Sequence, residues 1–128
     1  MTSYATAVEM AKAQSKPILL NFTGSDWCGW CIKMKKEALD TPAFNQYAIH
    51  NLILVEVDFP QNKPQTEAVK KQNKQLQEAY HIEGFPSFVL VDKDGKMLGM
   101  QDGYLEGGPD ALIAKLNTFN KPATAAKP

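Results

Sequence analysis

Apolar and polar positions along the chain switch between two periods, and the switches divide it into elements. Over residues 3–14, Tyr4, Ala7, Val8 and Ala11 recur at helical spacing, with Thr2 or Ser3 available as N-cap. Lys16-Pro17 breaks that helix, and the run Ile18-Leu19-Leu20-Asn21-Phe22, bounded by Pro17 and Thr23-Gly24-Ser25, reads as a buried strand. The next helix opens near Trp27 or Cys28 and continues to about Leu39, with Cys31, Met34 and Ala38 on one face. Thr41-Pro42 supplies a cap and a first-turn proline for a further helix. Residues 52–58 form the clearest strand, mostly apolar and rich in β-branched side chains. A polar, proline-bracketed loop follows at 59–65. A helix over roughly 66–80 then carries Val69, Gln72, Leu76 and Ala79/Tyr80 as its stripe. Runs at 87–91 and 96–100 flank Asp94-Gly95 and predict a β-hairpin. The last helix starts near Pro109 and uses Leu112, Ile113, Leu116 and Phe119.

This order predicts an α/β fold. Its β-α-β start implies parallel central strands, the hairpin adds antiparallel ones, and helices cover both faces. One domain over 1–120 is expected. Residues 121–128 lack core-forming side chains and are expected to be a disordered tail.

Composition narrows the function classes. The chain has 128 residues, 44% of them apolar, enough for one domain with a real core. Lys plus Arg and Asp plus Glu number 14 each, so the net charge of zero argues against a duplex nucleic-acid binder. No run approaches the length of a membrane span, and residues 1–5 lack a charged region leading into an apolar one. The expected product is a soluble chain, either cytoplasmic or a mature exported form, acting without membrane insertion.

The two cysteines, Cys28 and Cys31, close a loop too short to brace a fold. The pair is expected to react. At a helix N-terminus, unpaired N–H groups and the positive end of the helix dipole favour thiolate over thiol. Cys28 is expected at that terminus as the attacking nucleophile, and Cys31, one turn in on the apolar face, as the resolving thiol. A zinc site is the competing reading of Cys-X-X-Cys. Its remaining ligands would have to be His50 and His81, whose spacing fits no zinc finger, so no metal is expected and neither histidine receives a role.

Phe22, Trp27-Cys28-Gly29-Trp30-Cys31, Val55-Glu56-Val57-Asp58, Gly84-Phe85-Pro86-Ser87 and Asp94-Gly95 resemble the thioredoxin superfamily in order and spacing, over about residues 3–120. The run Phe22-Thr23-Gly24-Ser25-Asp26-Trp27-Cys28 resembles a subgroup of bacterial, often periplasmic, thioredoxin-like reductases. It is also similar to the periplasmic thioredoxin domain of a transmembrane electron transporter. The resemblance implies the thioredoxin fold, a central mixed sheet of four to five strands. It implies a monomeric protein-disulfide reductase or interchange enzyme that needs no bound cofactor beyond the Cys28–Cys31 disulfide itself. Its partners would be disulfide-containing proteins and an upstream thiol electron donor, and its compartment the periplasm, with the cytoplasm as alternative. It further implies that Pro86 is a cis proline facing the cysteines. The Phe85 backbone would then be free to pair with an extended substrate segment. Trp27, Gly29, Trp30, Phe85 and Pro86 are the substrate-binding candidates. The alternative is a non-catalytic binding module of the same fold with a vestigial or zinc-holding pair. A glutathione-dependent enzyme is a third option, for which no glutathione-binding features stand out.

The chain departs from the family's usual pattern at three points. The cysteines enclose Gly29-Trp30 in place of Gly-Pro. The family's buried carboxylate aligns with Asn21, which cannot take up a proton, leaving Asp26 and Glu56 as candidates for proton transfer. One extra residue lies between Phe22 and Cys28, and the loop and helix at 59–80 are longer. Lys33, Lys35 and Lys36 read as a solubilising face, and Lys70, Lys71 and Lys74 as a wet helix face.

Overall fold

The computed structural model describes residues 1–120; the tail expected at 121–128 lies outside them. Elements run in the order α1 (Tyr4–Gln14), β1 (Ile18–Thr23), α2 (Gly29–Met34), α3 (Pro42–Asn51), β2 (Ile53–Asp58), α4 (Glu67–Ala79), β3 (Ser87–Val91), β4 (Met97–Asp102) and α5 (Gly108–Phe119). Three helix starts are fixed by hydroxyl caps. Ser3 accepts from Thr6 N, Thr41 from Phe44 N and Thr66 from Val69 N, each at 3.2 Å.

The sheet has four strands in the order β2-β1-β3-β4. β1 pairs parallel with β2 and antiparallel with β3, and β4 closes the expected hairpin with a register shift at Leu90/Val91. β1 is central and buried along its whole length, which is why it reads as an unbroken apolar run. Its side chains alternate between two cores. Ile18, Leu20 and Phe22 meet Ala7, Ala11 and Leu76 of α1 and α4 on one face. Leu19 meets Met34, Phe44 and Leu116 of α2, α3 and α5 on the other. This is the thioredoxin fold, with helices on both faces as expected.

Two local features depart from the periodic reading. The helix from Cys28 is not continuous: α2 gives way at Lys35–Leu39 to one wide turn, closed by Asp40 N donating to Lys35 O at 2.8 Å. The widening puts both Ala38 and Leu39 in the core. On α4 the buried side chains are Asn73 and Leu76, while Val69 is only half-buried. The expected stripe took Gln72 where the structure buries Asn73: both amides stand at helical spacing from Val69 and Leu76, so periodicity alone did not choose between them.

Candidate active site

The cysteine pair sits where the parallel strand β1 hands over to α2. Cys28 is the N-cap of α2 in extended conformation, so its sulfur faces a free amide of the helix's first turn, and Cys31 N donates to Cys28 Sγ at 3.3 Å. Cys28 and Cys31 are joined as a disulfide, with Cα atoms 5.2 Å apart. Cys31 is 3% exposed, buried like Met34 and Ala38 further along the same face; Cys28, at 8%, is the more open of the two. The Phe85–Pro86 peptide is cis, as the resemblance implied, and the Phe85 carbonyl oxygen lies 3.8 Å from Cys28 Sγ.

Aromatic rings flank the disulfide on two sides. On one, Trp27 meets Phe85 edge-on with centroids 5.9 Å apart, and Phe85 stacks on Phe59 at 5.1 Å. Trp27 Nε1 donates to Phe59 O at 2.7 Å. Its ring also covers Gly24, where any Cβ would collide with the indole. On the other side Trp30 lies 5.1 Å from Tyr104. Lys33 Nζ stands 5.5 Å from the Trp30 ring and 5.4 Å from the Tyr104 ring, within cation–π reach of both. Tyr104 donates a hydrogen bond to Glu37, which holds the phenol in its neutral form and pushes its pKa up to about 12. Gly29 has open space where a Cβ would project.

The loop before Cys28 is clamped by two aspartates. Asp58, buried at the end of β2, accepts from Ser25 N at 2.9 Å, from the Ser25 hydroxyl, and from Lys63 Nζ at 3.3 Å. Asp26 reaches the other way: its two oxygens accept from Gln61 N at 2.9 Å and Asn62 N at 2.8 Å. The Gln61 N–H leads in holding the Asp26 carboxyl below its ordinary value of 3.8. A carboxylate so occupied is a poor proton acceptor. Glu56 has a different setting. In register beside Asn21, it lines a cavity of about 110 Å³ together with Asn21, Lys35 and Asp40. Asn21 is buried, and its Oδ1 has no hydrogen-bond partner among the described residues.

Phe59, Tyr104, Ser25 and Asp58 received no site role from the sequence, although Ser25 and Asp58 lie within its recognised motifs. Phe59 gave a faint signal, an aromatic side chain opening an otherwise polar loop; Tyr104, distant in sequence from the cysteines, gave none. Among the described residues, His, Cys, Asp and Glu form no group of three or more able to hold a metal ion. No described helix is long and apolar enough to cross a membrane.

A strand-to-helix Cys-X-X-Cys disulfide facing a cis proline is the site that thioredoxin-like folds carry. A family model described as Thioredoxin-like domain matches residues 4–120, and the chain belongs to that family of oxidoreductases. The chain is similar to the disulfide bond reductase DsbH of Chlamydia pneumoniae, with 44% identity over 119 residues, 93% of this chain and 71% of that one. The solved structure of a DsbH oxidoreductase superposes with a TM-score of 0.88 at 43% identity, over 93% of this chain and 82% of that one. The thioredoxin-related protein DsbJ of the same organism is 33% identical over 91 residues, 71% of this chain but 26% of its own length.

Proposed function

We propose that this chain is a protein-disulfide reductase that cycles Cys28 and Cys31 between dithiol and disulfide. The observation that carries the reading is the cap geometry, in which Cys28 Sγ faces the Cys31 amide at the start of α2. A charge-assisted N–H···S contact at a helix start favours the thiolate that must attack. The Cys28 thiolate attacks one sulfur of a substrate disulfide, that S–S bond breaks, and the substrate's other sulfur leaves as thiolate. Cys31, deprotonated, then attacks Cys28 Sγ, forming the intramolecular disulfide and releasing the second substrate thiolate. Two electrons pass to the substrate, and the released thiolates take protons from water.

Trp27, Phe85 and Pro86 form the substrate wall nearer Phe59, Trp30 the facing one, and Gly29 leaves room between them. Of the two proton-transfer candidates, the cavity shared with Asn21 supports Glu56, while Asp26 serves the loop. The cycle needs no bound cofactor and works in a monomer. An upstream thiol donor recharges it, and the resemblance of the run from Phe22 to Cys28 to often periplasmic thioredoxin-like reductases supports the periplasm as compartment.

Cys28→Ser is expected to abolish reduction of insulin disulfides in the presence of a thiol donor; retained turnover would refute the assignment. An equilibrium potential against glutathione near −270 mV is expected for a reductase, while one near −120 mV would make the protein an oxidant.

A further inference from the structure

Helix α4 belongs to the extended segment at 59–80, and three of its side chains, Lys70, Lys74 and Gln77, sit at i, i+4 and i+7 on one face. In the fold this face does not look into empty solvent. With Phe59, Pro60 and Gln65 it walls a groove of about 330 Å³. Phe59 is the same ring that stacks on Phe85, and its carbonyl anchors Trp27. The groove therefore continues the aromatic wall of the disulfide site towards α4, and its lining holds two cations and no carboxylate. Lys70 leans on the exposed Glu67 at 3.5 Å, a pair that a better partner displaces at little cost. Lys74 makes no ion pair among the described residues.

We infer that this groove is a substrate subsite: it takes the segment flanking a client protein's disulfide, an apolar or aromatic side chain followed by Asp or Glu. The inference rests on the reductase reading and names the clients that reading leaves open. An extended segment paired with the Phe85 backbone advances ~3.3 Å per residue, so about two residues span the 5.1 Å between the Phe85 and Phe59 rings, and Phe59 shares its groove with the lysines. The rings bury its apolar side chain, and Lys70 and Lys74 meet the acidic one at the rim. Rim charges of this kind select partners and raise association rates without adding much affinity. With zero net charge on the whole chain, the selection is local.

The test uses two synthetic peptide disulfides that differ only in carrying Phe-Glu-Glu or Phe-Lys-Lys beside the cystine, plus a small uncharged aromatic disulfide. The readout is the ratio of kcat/KM for the two peptides at low ionic strength. The acidic peptide is expected to be preferred by about three- to tenfold, and half-molar salt should bring the ratio towards one. Lys70→Gln/Lys74→Gln should abolish the preference, whereas Lys115→Glu, an equal change in net charge on α5, should leave it. Equal turnover of both peptides by the unmodified protein would overturn the subsite, as would a preference that survives the double substitution. Failure to reduce either peptide or the small disulfide would instead defeat the reductase reading, and the subsite with it.

Discussion

Two tryptophans flank the same cysteine, and the structure treats them oppositely. Trp27 is tied by its indole N–H to Phe59 O, packed edge-on against Phe85 and laid over Gly24, and it is still 40% exposed. Trp30, at 58%, meets the Tyr104 ring and the Lys33 cation, and its indole N–H has no hydrogen bond to the described residues. The first is part of the frame that aims Cys28. The second, between the two cysteines in sequence, leaves more of its ring exposed. Neighbouring residues of one type can thus differ in how firmly the fold holds them, according to whether their polar atom is satisfied inside it.

Substitutions can break or sharpen this contrast. Trp27→Ala is expected to have the largest effect, about 2–3 kcal/mol of stability in urea unfolding together with a fall in insulin reduction. Gly24→Ala, which leaves the indole in place but forces a methyl group against it, should cost about 1–2 kcal/mol in the same measurement. Trp30→Ala should stay within ~0.5 kcal/mol of the parent and instead raise KM for protein disulfides about threefold. Should Trp30→Ala destabilise the protein as much as Trp27→Ala, the contrast is void. The smallest effect belongs to Asp26. Its folded pKa is lowered, so the stability it contributes is complete above its ordinary value of 3.8 and is lost as pH falls through the lower folded value. Urea unfolding from pH 2 to 6 should therefore show a shallower acid slope in Asp26→Asn than in the parent.

Much of this was legible in the residues. β1 and β2 announced themselves as bounded apolar runs, the Thr41-Pro42 cap sits where it was expected, and Asp94-Gly95 does turn a hairpin. The cysteine pair was legible from its place after a strand and before a helix, the preceding Trp27 and the resemblance of the surrounding motifs. What stayed hidden depends on contacts distant in the chain. Glu37 and Tyr104 are 67 positions apart, and Ser25 and Asp58 33. The wide turn at Lys35–Leu39 was also invisible, because its residues suit an ordinary helix. The lysines of α4 are exposed, as a wet helix face should be, but composition could not show that Lys70 and Lys74 border a groove.

Asp58 meets three parts of the chain at once. Its side chain holds Ser25 and Lys63, while its backbone carbonyl accepts from Gln65 Nε2 at 3.0 Å and Asn73 Nδ2 at 2.9 Å. The strand end, the approach to the nucleophile and the docked α4 share this residue's hydrogen bonds and are expected to open together. Amide exchange at Ser25 should slow or quicken in step with exchange in the middle of α4, and a client that grips the helix would quieten the reactive loop without touching it.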